Sequence, residues 1–161
     1  MHLMRHDAPI AFARLAAGDE PSWDWRTGPL TSITYTDSET SVVCAFAAVP
    51  EGVVKQGPLV GFEIAGPLDF TMVGVLSGLL EPLARKGISI LALSTYDTDW
   101  ILVEADRSDD AAAIWKRGGH TVAPARLSGG AACASPGPTA SGPRGWPRAS
   151  RPAAPRTSRS W

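Results

Sequence analysis

Between Leu59 and Val122 the apolar and polar positions follow two distinct rhythms. Residues 59–66, LVGFEIAG, alternate as a strand does and stop at Gly66-Pro67. In the following DFTMVGVLSGLLEPLARKG, Met72, Val75, Leu76, Leu79 and Leu83 recur at helical spacing, with Asp69 or Thr71 placed to cap the helix and Gly87 to end it. Pro82 removes a hydrogen bond, but it falls in the last turns, where a kink disturbs least. ISILALST and WILVEA then predict two strands joined through the polar YDTD as an antiparallel hairpin. RSDDAAAIWKRGGHTVA predicts a helix capped by Ser108, with Asp109 and Asp110 near its positive end. Gly118-Gly119 ends that helix, and HTVA supplies a last short strand. Strand, helix, strand, strand, helix, strand is the split βαβ order of an α+β, ferredoxin-like fold.

The first half follows the same scheme less regularly. PIAFARL, SITYTDSE and TSVVCAFAAV predict three strands, and the loop AAGDEPSWDWRTGPL stands where a first helix is due. Pro21 and Gly28-Pro29 oppose a long helix there, leaving room for a single turn around Ser22 to Trp25. VPEGVVKQG serves as a short helix or a linker. The first half thus reads as a degenerate copy of the second, giving modules at 1–56 and 57–123.

Composition changes the picture at the C-terminus. From Pro124 onward the chain has six arginines, seven prolines and no acid in 38 residues, so the body holds nine basic against sixteen acidic residues, a formal charge of −7. Such a segment cannot bury enough apolar surface to offset a backbone entropy of about 1–2 kcal/mol per residue, so residues 124–161 are expected to be disordered. The arginines are either a basic arm or part of an extension without a role; their scatter, with no short basic block, favours the second. Apolar residues at 44% beside charged ones at 19% describe a globular chain, and no apolar run reaches membrane-spanning length. The N-terminus meets charge too early for a secretory leader, so a cytoplasmic protein is expected. Cys44 and Cys133 form neither a disulfide framework nor a metal pattern, and His2, His6 and His120 lack ligand spacing. No metal or other cofactor is expected.

GPLDFTMVGVLSGLLEPLARKGISILALSTYDTDWILVEAD, followed by AAAIWKRGGHTV, resembles the CASTOR-related tandem ACT-domain proteins. The motifs that carry the resemblance are GPLDF before the first helix, GISILALSTYDTD across a strand and turn, and WILV in the next strand. It extends through SITYTDSETSVVC and VPEG to cover roughly residues 8–123. It implies a tandem ACT fold and regulation by a free amino acid held at a seam between modules, without catalysis.

The residues can supply that chemistry. Ala65-Gly66-Pro67-Leu68 leads into a helix N-terminus, whose unpaired N–H groups and dipole favour a carboxylate, and Gly66 allows close backbone approach. Asp69 follows as cap or as acceptor for an ammonium group. The resemblance makes Ile88, Ser89 and Ile90 the second contact zone. Asp97 and Asp99 either lock the hairpin turn or face a cationic ligand; an Asp/Thr turn being ordinary, the locking role is favoured.

No nucleophile and base, phosphate loop or HExxH motif stands out, so no enzyme activity is expected. An RNA-recognition domain shares the strand order, but WILVEAD lacks its basic start and second aromatic, and the acidic body opposes phosphate, so no nucleic acid partner is expected. A small ferredoxin-like enzyme and a ligand-free dimerisation module remain as alternatives. The second strand is apolar on both faces, with Ile88, Ile90 and Ala92 opposite Leu91 and Leu93, which predicts a homodimer acting on a further, unnamed partner protein.

Overall fold

The computed structural model describes residues 1–66 and 74–125. The predicted tail, except Pro124 and Ala125, lies outside the described residues, as do Pro67, Leu68, Asp69, Thr71 and Met72. Residues 1–126 form one compact unit.

Seven strands make one sheet. They are β1 (His2–Ala16), β2 (Ser32–Tyr35), β3 (Glu39–Ala45), β4 (Val54–Ile64), β5 (Ile90–Ser94), β6 (Asp99–Glu104) and β7 (Thr121–Pro124). Two helices, α1 (Val75–Ala84) and α2 (Ser108–Arg117), connect β4 to β5 and β6 to β7. The main path through the sheet is β2-β3-β1-β4-β6-β5, and β7 pairs with β1. This is a mixed α+β arrangement of the expected element order.

β1 extends further than the sequence suggested, starting at His2. Its one edge is shared: Ile10 to Ala16 pair antiparallel with β3, whereas His2 to Arg5 pair parallel with β7. Along its other edge it meets β4, with register breaks between His6 and Phe12. Those breaks interrupt the alternation that would have announced so long a strand. The last strand therefore does not lie directly on β4, because the start of β1 is inserted between them. No α-helix forms among residues 17–31, as the prolines and glycine there predicted.

Both helices end in the same way. Gly87 and Gly119 have φ of 63° and 82°. Ile88 N–H reaches back to the Leu83 carbonyl at 3.1 Å and Gly87 N–H to Ala84 at 3.0 Å, while His120 and Gly119 repeat the pattern on Trp115 and Lys116. These are Schellman motifs, which need a left-handed residue where each glycine stands. At its start α1 has Gly74 as N-cap. Ser108 does not cap α2 as expected, since a 3-10 turn over Ala105–Arg107 runs straight into the helix. Its buried hydroxyl instead donates to the Ala105 carbonyl at 2.7 Å and accepts from Arg5 at 3.1 Å.

The helices cover one sheet face. Leu3, Phe62, Ile64, Ile101 and Val103 from the strands close against Leu79, Leu83 and Trp115. Trp115 is fully buried, meets the Phe62 ring edge-on at 4.8 Å, and donates its indole N–H to the Leu79 carbonyl at 2.9 Å. On the opposite face a second cluster joins Ile10, Leu30, Val43, Leu59, Trp100 and Leu102, with Leu91 and Leu93 only partly covered. β5 ends the sheet path, so its two apolar faces are those of the sheet, and among the described residues no strand pairs with its outer edge.

Candidate functional site

The β5–β6 hairpin sets where the expected ligand residues stand. Its register pairs Ile90 with Val103 and Ser94 with Asp99. Ile88, Ser89 and Ile90 therefore sit at one end of the sheet, and the Thr95 to Thr98 turn at the other, about 15 Å away at the usual strand rise. Gly66, exposed just after β4, belongs with the turn: the Thr98 hydroxyl donates to the Ile64 carbonyl two residues before it. One chain brings Gly66, Asp97 and Asp99 together, and Ser89 with Ile90, but does not unite the two groups around one amino acid.

The turn is locked by threonines rather than by both aspartates. Thr95 N–H donates to the Thr98 carbonyl at 2.8 Å, and the Thr95 hydroxyl accepts from Thr98 N–H at 3.2 Å and donates to its carbonyl at 3.0 Å. Asp99 accepts from the Ser94 hydroxyl at 2.6 Å, which ties the last residues of the two strands. Asp97 is exposed and takes no part in closing the turn. With threonine hydroxyls saturating the local backbone groups, a second acceptor has nothing left to lock.

At the other end, Ile88 is buried in the helix-side core as the residue that completes the α1 Schellman motif. Ser89 is exposed and Ile90 half-buried, and both line a cavity of about 210 Å³. Its apolar lining is Leu59, Leu91 and Leu102, and its polar groups come from Gln56, Gly57 and Glu104. Gly57 is held at φ 124°, and a Cβ there would fall 2.8 Å from the Ile10 carbonyl oxygen, so the β4 wall of the cavity requires glycine. No described residue bonds to the Glu104 carboxylate. The sequence pattern does not single out Gln56 or Glu104: the first falls in VPEGVVKQG, expected as a short helix or a linker, and the second in the strand WILVEA. The available signal was alternation: Glu104 lies two residues after Leu102 and so on the same sheet face.

Two further grooves flank α2. One of about 270 Å³ gathers Lys86, Arg107 and Arg117 around Ile88 and Ile114, with Asp110 held by Arg107 at 3.2 Å. The other, about 390 Å³, contains Arg5, whose guanidinium bonds Asp109 at 2.5 Å and Asp7 at 2.7 Å. The Asp109 hydrogen bond is the main cause that raises the Arg5 pKa further. Among the described residues no group of three or more His, Cys, Asp or Glu side chains gathers as a metal site. No described helix is long and apolar enough to cross a membrane.

Residues 57–115, from the cavity wall in β4 to the buried tryptophan of α2, match the family model described as ACT domain. Among solved structures, protein Atu0741 from Agobacterium tumefaciens aligns at 31% identity and a TM-score of 0.70, over 76% of this chain and 91% of its own. VC0802 from Vibrio cholerae, described as a protein of unknown function and a possible transport protein, aligns at 15% identity and a TM-score of 0.58, over 71% and 88%. The regulatory subunit of aspartate kinase from Thermus thermophilus aligns at 9% identity and a TM-score of 0.51, over 71% and 95%. The last two likenesses concern the fold alone. No match is found among curated proteins. Carrying the family's domain across its hairpin and both helices, and sharing 31% identity with a relative that it covers almost entirely, the chain belongs to the ACT-domain family.

Proposed function

We propose that the protein is a non-catalytic regulator that reversibly binds a free amino acid and, in doing so, changes how it contacts a partner protein in the cytoplasm. The observation that carries this reading is the cavity at the start of β5, where Ser89 and Ile90 meet an apolar floor and an unpaired carboxylate within the ACT-matching segment. The outer edge of β5, which no described strand pairs with, supports a homodimer of the tandem type. Two copies related by a two-fold axis would pair their β5 edges antiparallel, which sets the start of β5 in one copy beside the end of β5 in the other. Ser89 of each chain would then face the turn next to Gly66 of the second chain. That pairing would reunite the two halves of the site that one chain keeps apart.

A ligand that binds only the folded state stabilises it by RT ln(1 + [L]/Kd), about 2.7 kcal/mol at a hundredfold excess over Kd. A thermal-shift screen of the twenty amino acids should give a rise with one or a few of them, and sedimentation at micromolar protein should give a dimer. A flat screen with a dimer would leave a structural pairing module; a monomer with no shift would remove both readings.

A further inference from the structure

We infer that the cavity at the start of β5 selects an amino acid with an uncharged, apolar side chain, and that Glu104 is the counter-ion of its ammonium group. This rests on the amino-acid reading above and adds to it the head-group contact and the ligand class. Three observations support it. Among the described residues Glu104 brings the only charged side chain that lines the cavity, and none of them neutralises it. The nearby cation on β4, Lys55, is turned elsewhere, donating to the Val49 carbonyl at 2.9 Å and lying over the Phe46 ring at 4.8 Å. The floor is Leu59, Leu91 and Leu102, of which Leu102 is fully buried and Leu59 7% exposed.

An excess negative charge on such a floor attracts a cationic head and rejects an anionic one. The ammonium group has three donors, and Glu104 with the Gln56 carbonyl and Ser89 hydroxyl offers it acceptors. The volume of about 210 Å³ is below the range of about 300–1,000 Å³ typical of drug-sized ligands and suits a single amino acid. An acidic side chain would meet the Glu104 charge. A basic one would place its own charge on leucines that supply no partner.

The test is calorimetric titration of the full chain with leucine, glutamate, arginine, 3-methylbutylamine and 4-methylpentanoate. Leucine should bind, and the amine, which keeps the ammonium and the branched body, should bind more weakly. Glutamate, arginine and the carboxylate lacking nitrogen should bind at least tenfold more weakly than leucine. Glu104 is exposed, so Glu104→Gln should fold with unchanged circular dichroism and lose about tenfold in leucine affinity, as expected for a hydrogen bond to a charged group. Ser89→Ala should lose less. Leucine binding unchanged in Glu104→Gln would overturn the Glu104 assignment while leaving the amino-acid reading standing. A preference for arginine or glutamate would overturn the ligand class alone. No binding by any amino acid would end both.

Discussion

Cys44 stands in the apolar SVVCAFAAV, a setting that predicts a small buried side chain, and it is fully buried among Ala11, Ala13 and Val42. Burial pushes its thiol pKa up, and the neighbouring Trp23 indole and, less, the positive charge of Lys55 offset only part of that. The raised value means that the folded state resists thiolate formation more than the unfolded chain does. Its contribution to stability is therefore complete below the unfolded value of about 8.5 and is lost as pH rises through the folded value. In a Cys133→Ser background, denaturant unfolding should show stability falling above about pH 8.5, and Cys44→Ala should flatten that slope. A slope unchanged by Cys44→Ala would assign the loss to other groups. Tyr35, whose pKa is raised chiefly by donating to Glu20, titrates in the same direction and is the first of these to test.

Elements were legible in the sequence where period and punctuation agreed. Two apolar runs around STYDTD announce the hairpin, the 3.6-residue spacing and Gly87 announce α1, and the aspartates at its start with Gly118-Gly119 announce α2. β1 was read short because its first residues, HLMRHD, are mostly polar and a bulge breaks their alternation, although Leu3 lies in the centre of the helix-side core. The candidate site was half legible: Ser89 and Ile90 do line a cavity, yet hairpin register, which composition does not reveal, puts Gly66 at the far end. Within α2, Trp115 combines apolar bulk with one hydrogen bond to α1. Trp115→Ala should cost about 3–5 kcal/mol, as for other buried aromatics. Trp115→Phe retains most of the bulk and loses the bond to the Leu79 carbonyl, for which about 1 kcal/mol is expected. Equal losses in the two variants, measured by urea unfolding, would mean that the bond rather than the packing joins the helices.

At the scale of the whole molecule, the sheet is knitted from both halves of the chain. The start of β1 stands between β4 and β7, with Leu3 opposite Ile64 on one side and Val122 on the other. Around it the Ala65 N–H donates to the His2 carbonyl at 2.8 Å and the Thr121 N–H to the Met1 carbonyl at 3.0 Å. A division into modules at 1–56 and 57–123 would need each half to close its own sheet. β7 is antiparallel to β4, so the second half could do this only by moving β7 sideways by one strand spacing, about 4.8 Å, into the place of β1. The Schellman motif at Gly119 fixes where β7 leaves α2, and that move would also empty the place of the fully buried Leu3. A fragment of residues 57–125 is therefore expected to show no cooperative thermal transition alone and to gain one when a peptide of residues 1–16 is added, since the peptide restores both strand edges and Leu3. Cooperative unfolding of the fragment without the peptide would show that the second half closes on itself, and that the insertion of β1 joins two modules able to stand apart.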